Sequence, residues 1–398
     1  MNNQPTTAKQ RIELLDIYRG FAIFGIFVVN IVIMHSTYLN QDAFASQWTS
    51  VIDQITKRFL QLFFYTKFFP IFSLLFGLGI SMQVLKLMDK DQFSISFLIR
   101  RLLILFVFGW LHIVLLWSGD VLNIYAILGF FTLIFLKASN KLILICSAIL
   151  LAFPFYDSIL ESLFGFLNFK PELVLSNYTG ESVNIIITQG NYFQGMKLRL
   201  LEYFSNIPIL FGFLGPIAFS MFLLGLYLGK NKIYETLETY IMTIKRPIIY
   251  LTITTNIYRV LFLFVLTKLD LFKIELYRSL LIKLMMLCDT MMGIFYLWLL
   301  GWLWYNKTWQ SLLRPLKYVG QMALTNYIMH SVVGLILFTS IGFKLYETLS
   351  PFQTFLIAIL VFIFQIVISR TWLSYFKFGP LEWLWRCLSY RKFLSIKR

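Results

Sequence analysis

Long apolar runs, broken at intervals by short clusters of Lys and Arg, make up most of the chain. Ten runs stand out, at about 14–36, 60–86, 97–117, 121–137, 142–160, 207–229, 247–267, 278–304, 319–343 and 352–372. A helix of about 20 apolar residues crosses the hydrocarbon core, and its backbone satisfies its own hydrogen bonds there. Strand-like alternation is absent, which argues against a barrel. The pattern predicts an all-α fold: a polytopic bundle of about ten transmembrane helices in a single membrane domain, 1–398. Within it, helices over 14–137 carry the candidate site, 161–206 forms a long external connection, 207–372 holds the C-terminal helices, and 373–398 is an interfacial tail. A connection as long as 161–206 usually holds function or short helices of its own.

The charges between the runs give an orientation. Residues 37–56 contain no Lys or Arg, and Ser118-Gly119-Asp120 is a turn without cations, so both read as external. Lys86, Lys90, Arg100 and Arg101 mark an internal loop, as do Lys137 with Lys141, Lys230 to Arg246, and Lys307 to Lys317. Every second loop is basic, which places both termini in the cytoplasm. The stretch from Lys268 to Lys283 fits this scheme less well.

Composition agrees with a membrane protein. The chain is 59% hydrophobic and 14% charged, against about 25% charged in soluble domains. The net charge of +16 sits beside apolar runs, so it reads as a fringe facing anionic lipid rather than a nucleic-acid surface. The partners expected are the bilayer and, since lipid-facing and partner-facing apolar surfaces look alike, a second copy of the chain as a homodimer. Three scattered cysteines and three scattered histidines suggest neither a disulfide framework nor a metal site. The first run carries Arg19 and has no small-residue cleavage site, so it is expected to remain as the first helix.

Polar groups inside apolar spans are costly and mark cavities or bundle interiors. In LLDIYRGFAIFGIFVVN, Asp16, Arg19 and Asn30 fall within one narrow arc of the helix, a stripe leading inward from the cytoplasmic end. Arg100 and Arg101 begin the third span, which also carries His112; Arg101 and His112 share a face about 16 Å apart. That spacing puts a cation at the cytoplasmic surface and an imidazole near the bilayer middle. A histidine there is either a bonded core residue or a general base. Asp120 suits a helix N-cap and a functional role equally well. Lys67 lies near the outer end of the second span, where it either snorkels or faces a substrate. Gly77 and Gly79 are expected to let helices pack closely. Asn326 and His330 share a face of the ninth span, and His35 ends the first span facing away from the Arg19 stripe. The tail around Trp383, Trp385 and Arg386 reads as an amphipathic element at the cytoplasmic interface.

The segments RGFAIFGIFVVNI, KFFPIFSLLFGLG, RRLLILFVFGWLHIVLLWSGDVLNIYAILG, GQMALTNYIMHS and FKFGPLEWLWRCLSY resemble the YeiB family of bacterial membrane proteins, over nearly the whole chain. That family is similar to transmembrane acyltransferases. The resemblance implies a multi-pass protein of the bacterial plasma membrane that takes acyl-CoA, foremost acetyl-CoA, from the cytoplasm. The acyl group would pass to a glycan or lipid acceptor, with no metal. It implies His112 as base, with Asp120 as its partner or as an acceptor-side group, and a donor path lined by Asp16, Arg19, Asn30, Arg100 and Arg101. Lys67, Asn326 and His330 are candidates for the substrate side. The related acetyltransferases are expected to place a histidine after the first helix, where His35 is the nearest equivalent. A transporter moving a small solute or proton through the same polar interior is the competing expectation.

Overall fold

The computed structural model describes residues 11–37, 39–89 and 94–398. Lys90, expected in the first basic loop, lies outside the described residues. The described residues form helices and connecting turns, with one isolated bridge between Phe376 and Lys397.

The chain opens with α1 (Glu13–His35), then a short α2 (Gln41–Gln47), α3 (Val51–Phe63) and α4 (Phe68–Met88). Next come α5 (Ile95–Leu115) and α6 (Leu122–Ile134), which pack against each other. Helices α7 (Asn140–Ala152) and α8 (Tyr156–Leu167) meet at 84°. The connection that follows holds α9 (Gly180–Gln189) and α10 (Tyr192–Ser205). A π-helical turn leads into α11 (Gly215–Lys230). The C-terminal part runs through α12 (Leu237–Thr243), α13 (Lys245–Phe264), α14 (Glu275–Trp304), α15 (Lys307–Leu313), α16 (Leu316–Gln321), α17 (Ala323–Phe338), α18 (Pro351–Tyr375) and α19 (Pro380–Tyr390).

All ten expected segments fall on helices. Seven are long and apolar enough to cross a membrane, and an eighth is added if α7 and α8 count as one bent span. The remaining two, 122–137 and 323–338, are shorter apolar helices. Helices α13 and α18 turn Ile253, Ile257, Val260, Leu360, Phe364 and Val367 outward. Such a surface is stable only against lipid or another apolar partner, so the protein is a multi-pass membrane protein.

Helix α1 lies at the centre, packed against α4, α16, α17 and α18. It is apolar nearly all round, as a fully surrounded helix must be. Gly77 on α4 abuts the backbone of Phe222 on α11, so it permits the close packing expected of it. Gly79 has nothing within 4 Å of a Cβ placed there, so it plays no such part.

The tail does more than rest at an interface. Helix α19 docks on α5, where the Trp385 indole donates to the Arg101 carbonyl (2.9 Å) and Arg100 Nε donates to the Ser389 carbonyl (2.7 Å). Glu382 accepts from the Leu324 and Thr325 amides (2.7 and 3.0 Å), capping the exposed N–H groups that begin α17.

Candidate functional site

Three side chains from three elements meet in one line. Helix α5 carries His112, the turn before α6 carries Asp120, and α17 carries Ser331; all three are buried. His112 Nδ1 lies 2.8 Å from Asp120 Oδ1, and Nε2 lies 2.7 Å from Ser331 Oγ. A carboxylate only accepts, so the ring places its Nδ1 proton on Asp120 and offers Nε2 to the serine hydroxyl. Asp120 is itself fixed, because Oδ2 accepts the Asn123 amide (2.8 Å). The two roles open to Asp120 are therefore both filled: one oxygen caps the start of α6 and the other orients the histidine.

The local sequence explains the fit. Gly109, one turn before His112, faces this corner; a Cβ there would lie 2.8 Å from Asp120 Oδ2. Tyr327, one turn before Ser331, sets its ring beside His112 and accepts the Val121 amide (3.3 Å). His112 stands one turn from the end of α5 at Leu115, closer to the outer end than the mid-membrane position its spacing suggests.

Helices α9 and α10 close over this end of α5, which the charge pattern expects to face outward. Tyr192 donates to the Leu115 carbonyl (2.7 Å), Arg199 Nε to the Val114 carbonyl (3.2 Å), and the Ser340 amide to the Ile187 carbonyl (2.7 Å). Ser118 donates to Glu202 (2.8 Å) and Asn123 to Tyr203 (2.5 Å). Beneath this cover lies a cavity of about 70 Å³, bounded by α1, α10 and α17, with Ser331, Thr37, Arg199 and Glu202 among its polar lining. A single water needs about 10–15 Å³ on this measure, so the cavity suits a small group rather than a whole cofactor. Arg199 is 8% exposed, and its Nη2 is buried without a hydrogen-bond partner. Burial pushes the Glu202 carboxyl up to about 7, although the Ser118 bond and Arg199 pull it the other way.

The opposite end of the bundle, which the charge pattern expects to face the cytoplasm, gathers cations. Arg19 pairs with Asp16 (2.8 Å), whose second oxygen is buried without a partner. The Arg101 guanidinium lies 3.8 Å over the Trp385 ring. Arg386, on the docked tail helix, stacks 4.3 Å over Phe378 with Nη1 buried and unbonded. Burial, then nearby Arg101 and Arg11, lower the Arg386 pKa to about 10. Arg100 is committed to the tail backbone, as described above. Asn30 is half-buried and makes no side-chain hydrogen bond among the described residues. It lies one turn before Ile33 and Met34, which line the outer cavity.

The other candidates lie elsewhere. Lys67 is wholly buried against Asp289 (2.8 Å), which Arg259 Nε also reaches (2.8 Å). Asn326 donates to Ser369 on α18 (3.0 Å), and His330 bonds Gln365 on α18 (3.0 Å) while stacking on Phe27. Neither lines the outer cavity. His35 accepts the Leu349 amide (3.1 Å) and is packed between Phe44 and Phe338, which fastens the end of α1. Among the described residues no three His, Cys, Asp or Glu side chains converge as metal ligands. Sequence reasoning missed Ser331, Arg199 and Arg259. Ser331 sits four residues after Tyr327 on one helical face, a weak signal for a hydroxyl. Arg199 lay in the long connection, where no periodicity points inward.

Comparison with known proteins agrees with the resemblance. Residues 228–392 match the family model described as a protein of unknown function, DUF418. The uncharacterized protein YxaH of Bacillus subtilis (strain 168) is 30% identical over 411 positions, covering 99% of this chain and 98% of that protein. An uncharacterized 39.9 kDa protein encoded in the amylase 3' region of Bacillus acidopullulyticus is 30% identical, over 98% and 97% of the two chains. The uncharacterized protein YeiB of Escherichia coli (strain K12) is 26% identical, over 96% and 97%. No solved structure matches the chain. With two relatives 30% identical along nearly the whole chain and the family model matching its C-terminal part, the chain belongs to the YeiB family.

Proposed function

We propose that this protein is a plasma-membrane acyltransferase, moving an acyl group from cytoplasmic acyl-CoA to an outer or membrane-borne acceptor. The observation that carries this reading is the Asp120–His112–Ser331 line opening on the outer cavity. Nucleophile, base and orienting carboxylate at these distances are the geometry of acyl transfer through a hydroxyl.

In this reading Ser331 Oγ gives its proton to His112 Nε2 and attacks the thioester carbonyl. The C–S bond breaks, and the leaving thiolate takes the proton from His112. The acyl group then rests on Ser331 as an ester. An acceptor hydroxyl next gives its proton to His112 and attacks that ester, and Ser331 recovers a proton as it leaves. Asp120 keeps the ring in place throughout. Arg19, Arg101 and Arg386 supply donors for the phosphates of the acyl-CoA, with Arg101 about 16 Å from His112 along α5. Cytoplasmic termini and the basic loops beside them suit a donor arriving from that side.

The test is acyl transfer from labelled acetyl-CoA by the purified protein in lipid vesicles. General-base catalysis is worth about 10²–10⁴-fold, so His112→Ala should lose at least 100-fold in rate. Ser331→Ala should abolish label on the protein itself. A wild-type rate in His112→Ala would overturn the assignment. The buried Lys67–Asp289–Arg259 cluster is the observation that favours a transporter instead, and solute uptake without any acyl donor would be its signature.

A further inference from the structure

The outer cavity contains a buried guanidinium, near the Glu202 carboxyl, one of whose N–H groups the protein leaves without an acceptor. Arg199 donates from Nε to the Val114 carbonyl, yet Nη2 is buried with no acceptor and the side chain makes no ion pair among the described residues. Burying part of a guanidinium without a partner is costly. The Glu202 carboxylate, one helical turn away, bonds Ser118 rather than the arginine. Tyr192 offers its ring face, with the guanidinium 5.2 Å from the centroid, and its hydroxyl, which donates to the Leu115 carbonyl, also interacts with the guanidinium. The arginine therefore faces a small cavity whose remaining walls are largely apolar and whose inner wall holds Ser331.

We propose that this cavity is a binding site for an oxyanion, a carboxylate or phosphate, held by Arg199 on the outer side of the membrane. The planar fork of Arg matches such a group with two parallel hydrogen bonds. The cavity volume limits the bound part to a small anionic group, with the rest of the ligand leading out of the opening. A neutral oxygen can accept from Nη2 but forms a weaker bond than an oxyanion, so the site prefers the anion. The proposal concerns binding alone and stands whether or not acyl transfer occurs. If it does occur, the same anion lies beside Ser331 and marks the acceptor as acidic.

The experiment measures binding to the full-length protein in detergent without acyl-CoA, by thermal midpoint and by the change in tryptophan fluorescence that is lost in Trp117→Phe, Trp117 lining the cavity. The probes are inorganic phosphate, glycerol phosphate and acetate at constant ionic strength. At least one should give a saturable response in the wild type, weakened tenfold or more in Arg199→Gln and partly recovered in Arg199→Lys. Glu202→Gln removes the neighbouring carboxylate and should tighten binding, which keeps the test open if Arg199→Gln does not fold. Phosphate against acetate separates the two anions. Vesicles of phosphatidylglycerol against phosphatidylcholine separate a lipid headgroup from a free anion. No saturable response to any probe, or an equal response in Arg199→Gln, overturns the proposal.

Discussion

The Asp289 cluster and the His112 cluster are built from the same material: charged and polar side chains buried between apolar helices. They differ in what remains unfilled. Around Asp289 every group is matched. Lys67 spends its three protons on Asp289 and on the Gln61 and Tyr65 carbonyls (3.0 and 2.6 Å). Arg259 reaches Asp289, Asn256 and the Leu62 carbonyl, and Thr66 donates to the second Asp289 oxygen. The reason is local. Helix α3 ends at Phe63, and the chain turns through Thr66 in the left-handed region (φ 64°) before α4 begins. The last carbonyls of α3 have no helical partner, and water is scarce inside a bundle. Two cations satisfy them and Asp289 offsets the charge. Around His112 the opposite holds: the Ser331 hydroxyl bonded to the imidazole, and a guanidinium with one N–H group lacking an acceptor, border a cavity. Buried charge alone does not mark a site; an unfilled donor beside open space does.

The largest expected effect tests the closed cluster. Asp289→Ala leaves Lys67 and Arg259 buried with only carbonyls, and breaking a buried pair this way costs about 3–5 kcal/mol. The thermal midpoint in detergent should fall sharply, or the folded fraction should collapse. His112→Ala should cost far less stability while losing activity. A stable Asp289→Ala protein that also loses its activity would erase the distinction and turn attention to transport.

A pair of glycines sharpens the same contrast. A Cβ on Gly293 would stand 2.6 Å from the Lys67 carbonyl, and one on Gly109 would stand 2.8 Å from the Asp120 carboxylate. Overpacking of this kind costs about 1–3 kcal/mol, so Ala at either position should lower the thermal midpoint. Only Gly109→Ala displaces Asp120 from His112, so only that variant should also slow acyl transfer or change its pH profile. Equal activity losses in both would show that the assay reads folding rather than the site.

How much of this was legible in the sequence follows from which rules act locally. Helices announce themselves through apolar run length, so all ten segments fell on helices. Asp16 with Arg19, three residues apart, was legible from helical geometry. His112 and Asp120 were singled out separately, as a histidine within a span and a carboxylate at the turn that follows. Ser331 could not be joined to them, because it arrives from 219 residues away through the packing of α17 on the bundle. Lys67 was read as either snorkelling or facing a substrate, because nothing local shows that α3 breaks and leaves carbonyls for it. Arg386 was visible as part of an amphipathic tail, but its place beside Arg101 depends on how α19 docks.

The smallest effect concerns Glu202, which belongs to the open site and has no counterpart near Asp289. Its carboxyl is raised from the ordinary 4.5 to about 7 by burial. Below the unfolded value both states hold the proton, and the full stability is present. As pH rises toward 7 the unfolded chain releases its proton while the folded protein keeps it, so stability is lost across that interval and then levels off. Because Glu202 is partly exposed, the loss should be about 1–2 kcal/mol rather than the full shift. Glu202→Gln should flatten the thermal midpoint between about pH 5 and about pH 7. Ionised Glu202 also lies near Arg199 and opposes an incoming anion, so oxyanion affinity should fall over the upper part of that range in the wild type and stay level in the variant. If the variant flattens stability but leaves the pH dependence of binding unchanged, Glu202 governs only the folding of the cover, and the anion meets Arg199 beyond the reach of its charge.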